Sequence, residues 1–231
     1  MKKDFDYLKW HLHIVLTFGD YAVLYDYIED KKAHSVHIEN YKKTFERNNI
    51  EGGHKFEGKI KQYHNGISLS MMKKSLSTYS NQMVVIFSIY IENIIKEFFT
   101  NLFIIHPIKM YDYLPDNNSL NLTGYVSFKK VIENDSKESL LLSLAEQSAI
   151  IISKGGIESV LKKFINLTNH NLPKDLLIEI IEMIDLRNKI VHEFYKENLS
   201  LEKIDFYSKL TLEFLEEVKK AAKKNKVVIH E

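Results

Sequence analysis

The sequence predicts an all-α protein, and three observations carry that expectation. Pro and Gly are scarce, at 3 and 8 in 231 residues. A β-sandwich or barrel needs a turn about every 8–12 residues, and turn chemistry on that scale is missing. Apolar residues recur at helical spacing through most of the chain. With 45% hydrophobic and 27% charged residues the composition is globular, which excludes wholesale disorder.

In chain order, Leu8, Leu12, Val15, Leu16, Val23, Leu24 and Tyr27 mark a first helix to about Asp30. A more polar helix is expected to Arg47, and Asn48 to Gly53 is loop chemistry. Ile67 to Ile105 reads as one long helix or two consecutive ones. From Val84 to Phe103 it is apolar on nearly all sides, as a central helix packed by others must be. Pro107 and Leu114 to Asn118 stop it, with loop to about Gly124. Ser136 to Lys154 is the next helix, ended by Gly155-Gly156. A shorter helix follows from Ile157 to Leu167, then a turn at Asn169 to Asn171. Pro173 suits the first turn of a helix running to about Tyr195. Ser200 is a fitting cap for the last helix, which runs to about Lys224.

Composition narrows the function classes. Cys is absent, so disulfides, thiolate metal sites and cysteine nucleophiles are excluded, and a cytoplasmic setting is expected. The formal net charge is +1, from 32 basic and 31 acidic residues, which argues against a uniformly basic nucleic-acid-coating surface. The most apolar stretch, Met83 to His106, carries Glu92, Lys96 and Glu97, so a buried helix is expected rather than a membrane span. No dinucleotide or phosphate-loop fingerprint occurs, and no cofactor is expected.

Of the 32 basic residues only Arg47 and Arg187 are Arg. In a chain so biased towards Lys, an Arg is the less expected choice. Arg187 heads the informative segment, Arg187-Asn188-Lys189-Ile190-Val191-His192, near the end of a helix. Arg offers a planar, always-charged fork suited to a phosphodiester. His moves protons near neutral pH. At five residues apart the two diverge by about 140° on an ideal helix. So the helix must end near His192, or Arg187 must reach around. Asn188 and His192 are one turn apart, as are Asp185 and Lys189. Upstream, Ser88, Glu92 and Lys96 form a polar stripe at spacing four on an otherwise apolar helix.

Arg-Asn-x-x-x-His resembles the Arg-x(4–6)-His signature of the HEPN superfamily, in which a polar residue is favoured after the Arg. Ser88 to Lys96 is similar to the core helix that precedes this motif in several HEPN nuclease families. The Gly155-Gly156 turn and its short helix also fall in the family order. The resemblance covers roughly residues 77–219 of a chain read as one domain, 1–231. About 1–65 forms an additional helical extension that it does not explain. It implies a HEPN-like helical bundle and a metal-independent endoribonuclease, a toxin or an anti-phage defence effector. Arg187 and His192 would be catalytic. Asn188, Lys189, Glu92, Ser88 and Tyr195 would support the site or position RNA. The implied partners are RNA, a second copy forming a composite cleft, and a cognate antitoxin protein. HEPN toxins paired with a nucleotidyltransferase antitoxin continue His-x-Tyr. Here Phe194 stands at that place and Tyr195 follows, which argues against control by adenylylation there. The alternative is a non-catalytic helical module that binds RNA, a nucleotide or a partner protein.

Other candidates are weaker. Arg47 and His54 share the spacing, but in a Gly-rich loop. His11 with His13, and His34 with His37, lack the carboxylate spacing of a metal site, and none is expected. Lys219, Lys220, Lys223 and Lys224 form a basic helix end, usually solvated.

Overall fold

The protein is all-α, as its composition predicts. The computed structural model describes residues 4–36, 39–40, 43, 59–114, 126, 131 and 133–231. The expected loop at 48–53 and the Arg47/His54 pair lie outside the described residues.

A two-residue strand, β1 (Phe5–Asp6), leads into α1 (Tyr7–Glu29). The Asp6 carboxylate accepts a hydrogen bond from Lys9 N at 2.9 Å and so caps α1. The central element is α2 (Lys59–Ile105). It is one continuous helix, beginning two turns before the expected Ile67. Phe87, Ile91, Ile94, Ile95, Phe98, Phe99, Leu102 and Phe103 are all essentially fully buried. Helices pack around this stretch, which is why its sequence lacks a polar side. Pro107 opens a 3₁₀ segment (Pro107–Tyr113) rather than a plain loop.

Next comes α3 (Lys137–Ile152), whose Ser136 cap accepts from Ser139 N at 3.0 Å. Gly155 has φ +107°, a backbone that demands glycine, and it turns the chain into α4 (Ile157–Thr168). Asn169 ends α4 in the left-handed region. Pro173 is the N-cap of α5 (Lys174–His192). Ser200 caps α6 (Leu201–Lys224) by accepting from Lys203 N at 3.3 Å. Strand β2 (Ile229–His230) pairs in parallel with β1, Phe5 opposite Ile229. Two residues of mixed polarity, Phe5-Asp6 and Ile229-His230, give no strand signal, yet their pairing joins the two ends of the described chain.

Three helix C-termini converge on Asn225. Its amide donates to the carbonyls of Thr168 and Ala221 at 3.1 and 2.9 Å. Its Oδ1 accepts from Lys109 Nζ at 2.9 Å, and its carbonyl meets His106 Nε2 at 2.7 Å. Orphan carbonyls of α4 and α6 are thus satisfied, and the residue after α2, His106, is tied to the same point. Lys109 also donates to the Leu167 carbonyl, and burial lowers its pKa.

Glu97 ties α1 to α2. Its Oε1 accepts from Asp6 N at 3.0 Å, and its Oε2 from Lys9 Nζ at 2.6 Å and Trp10 Nε1 at 3.1 Å. Among the described residues, no helix is long and apolar enough to cross a membrane.

Candidate functional site

Arg187 projects from α5 towards α2. Its Nη1 donates to Asn188 Oδ1 at 2.9 Å, and its Nη2 lies 3.6 Å from Glu92 Oε2. The second distance is an ion pair without a hydrogen bond. The Arg187 side chain is 23% exposed and that of Glu92 44%. Both face a cleft of about 340 Å³ between α2, α5 and the Gly155-Gly156 turn. Lys96, Asn93, Asn188 and Ser153 also line it. Arg187 Nε and Ser153 Oγ are buried there without a hydrogen-bond partner among the described residues.

Local sequence explains the cleft. Gly156 caps α4 without a side-chain hydrogen bond, so the first N–H groups of α4 stay uncapped by any side chain at the cleft rim. A Cβ added at Gly155 or Gly156 would meet nothing within 4 Å, so these glycines serve the turn and leave the rim open. Two cations, two amides and a helix N-terminus face one opening, with Glu92 as the opposing charge. That combination can bind an anion and can orient it.

His192 is the last residue of α5. The helix does end where a shared site would need it to end. Yet His192 is exposed, does not line the cleft and makes no side-chain hydrogen bond among the described residues. Along the helix it stands about 7.5 Å and 140° from Arg187. Within one protomer the two do not share a pocket.

The supporting residues divide. Glu92 and Asn188 contact Arg187 itself. Glu92 pairs with Arg187 across the interface of α2 and α5, whereas it makes no ion pair with Lys96. Asn188 holds Arg187 and not His192. Ser88 is fully buried, its hydroxyl has no partner among the described residues, and it does not line the cleft. Lys189 is exposed and forms no ion pair with Asp185. Its role is in the backbone: its carbonyl accepts from Glu193 N at 3.0 Å and Tyr195 N at 3.2 Å.

The expected helix end at Tyr195 moves back three residues, because Phe194 adopts φ +54°. A bulky residue in the left-handed region is strained. Its ring gains nothing from burial, being 87% exposed. The segment is pinned from beyond. The buried Asn81 of α2 donates to the Glu197 carbonyl at 2.8 Å and accepts from Glu197 N at 3.0 Å. Tyr195 donates to Glu197 Oε2 at 2.6 Å, and this bond raises its pKa. Tyr195 therefore lies outside the cleft.

Motif reasoning missed Asn93, the exposed start of α4 and the Asn81 clamp. Asn81 is one polar residue in a helix, and only its partner 116 positions away gives it meaning. Gly155-Gly156 was legible as a helix stop, but not as a rim. Among the described residues no three His, Asp or Glu side chains gather as a metal-ligand set.

Compared with protein-family models, with curated proteins and with solved structures, the chain matches none.

Proposed function

We infer that the protein is a metal-independent endoribonuclease of HEPN type, a toxin or anti-phage defence effector. The observation that carries the reading is the placement of Arg187 on a cleft wall beside Lys96, Asn93, Asn188 and the uncapped start of α4. A phosphodiester in that cleft meets the fork of Arg187, and Glu92 and Asn188 hold the fork in place. The 2′-hydroxyl of RNA attacks the adjacent phosphorus, the 5′-oxygen leaves, and a 2′,3′-cyclic phosphate results. Arg187 stabilises the charge on the phosphorane, and His192 transfers the proton. Because His192 stands away from Arg187 in one protomer, the reading calls for a second copy meeting at the ends of α5. A cognate antitoxin protein belongs to the same reading. The Cys-free composition supports the cytoplasm as its setting.

A second reading is favoured by one specific observation. Arg187 is held by internal partners while His192 is outside the cleft. A module that binds RNA without cleaving it needs only the first of these. The test is incubation of the purified protein with mixed RNA in excess EDTA, beside Arg187→Ala and His192→Ala. Cleavage by the wild type, with 2′,3′-cyclic ends, lost in both variants, supports the nuclease. RNA binding that depends on Arg187 but not on His192, without cleavage, supports the module. Cleavage undiminished in both variants sinks both.

A further inference from the structure

Helix α1 is apolar on two opposite faces. Trp10, Ile14, Tyr21 and Ile28 are buried against the rest of the molecule. Directly opposite run Leu8, Leu12, Val15, Leu16, Val23 and Tyr27, all exposed, with Leu16 at 61% and Val23 at 71%. Gly19 lies in the middle of this second stripe, and a Cβ added there would meet nothing within 4 Å. The stripe runs about 28 Å from Leu8 to Tyr27 at 1.5 Å per residue. Broken only by Asp26 near its C-terminal end, an exposed apolar face of this kind marks an interaction surface rather than scattered surface residues.

We propose that this face docks a second copy of the same helix, antiparallel, about a two-fold axis between Leu16 and Gly19. The order of residues carries the choice of occupant. Reversed on itself, the stripe sets Leu8 opposite Tyr27, Leu12 opposite Val23, and Leu16 opposite Gly19. The most protruding central side chain meets the one position without a side chain, twice by symmetry, as an isologous interface requires. The polar flank follows the same rule. His13 and Asp20 are two turns apart on one flank, and both are exposed. The two-fold keeps a flank on its own side. It brings His13 within about 3 Å, along the axis, of the level of Asp20 of the partner subunit. A parallel pairing would set Asp26 against Asp26, which is unfavourable.

This surface is separate from the cleft. Helix α1 meets α2 through Tyr90 and Glu97, whereas Arg187 meets Glu92. On an ideal helix Tyr90 and Glu92 point about 160° apart. The α1 joint therefore leaves the cleft open in both copies, and it assigns a role to the N-terminal extension.

The chain has no Cys, so engineered pairs report without background. Leu12→Cys/Val23→Cys is oxidised mildly and run on a denaturing gel. A covalent dimer is expected from the double variant and from neither single variant. Facing positions sit 11 residues apart on one helix, about 16 Å, which also forbids a cross-link within one chain. Gly19→Leu, measured by light scattering and circular dichroism, is expected to stay folded and to halve the mass of the α1-joined species. Cross-linking of each single variant would overturn the antiparallel register. No cross-link in any variant, or unchanged mass in Gly19→Leu, would overturn the proposal whatever the outcome of the RNA assay.

Discussion

The charged neighbour of Arg187 is Glu92, 3.6 Å away across the packing of α2 on α5, and not His192 five residues along its own helix. The consequence is a division of labour. Glu92 and Asn188 aim the guanidinium into the cleft, while His192 waits at the helix end.

Arg187→Lys should behave as a loss and not as a conservative change. Lysine keeps the charge but not the fork that bonds Asn188 and reaches Glu92 together. Cleavage of RNA should fall by about 10²-fold or more, as when one charge-stabilising donor is removed. A rate near that of the wild type would show that only charge is needed.

Glu92→Gln separates aim from stability. The pair is partly exposed, so its loss should change stability by under about 1 kcal/mol. If Glu92 aims Arg187, kcat should fall while the urea midpoint stays in place. Equal loss from Glu92→Gln and Glu92→Ala would point to charge, and rescue by Gln to hydrogen bonding.

Glu97 is a stability residue. Glu97→Ala removes acceptors for Asp6 N, Lys9 and Trp10 at once. The expected cost is about 2–4 kcal/mol, because the Trp10 indole and Asp6 amide lose their partner. A shift in urea midpoint at unchanged slope checks it.

Phe194→Gly should stabilise the chain by about 1 kcal/mol, since φ +54° costs glycine nothing and the ring is exposed. Thermal unfolding measures it. If RNA cleavage falls in the same variant, the exposed ring beside His192 serves the substrate and not the fold.

Glu217 sets an acid limit. Burial pushes its carboxyl pKa up, but hydrogen bonds from Lys220 and His170 more than reverse that, and the folded value lies below the ordinary one. A depressed folded pKa means stability that is complete above the ordinary glutamate range and is lost as pH falls through the folded value. Glu217→Gln should therefore flatten the acid limb of a stability-against-pH curve. An unchanged limb would mean that another carboxylate sets it.

The fold class and most helix bounds could be read from the chain because they rest on local physics. Ser136, Ser200, Gly155 and Asn169 cap or end helices through their own backbone neighbourhoods. The all-round apolar run of α2 announced a central helix for the same reason. Arg187 stood out as a candidate because Arg is rare in this chain.

What the sequence by itself determined is therefore the set of helices and the residue types available to the site. The tertiary structure alone decided which of them meet. Glu92 and Arg187 are 95 positions apart, and Asn81 and Glu197 are 116 apart. Such pairs form only when α2 is packed, and no local spacing encodes them. Spacing placed Arg187 and His192 together on one helix, but side-chain direction parted them, since a helix turns about 100° per residue. The same geometry left α1 with a second apolar face, which the described residues of one chain do not bury.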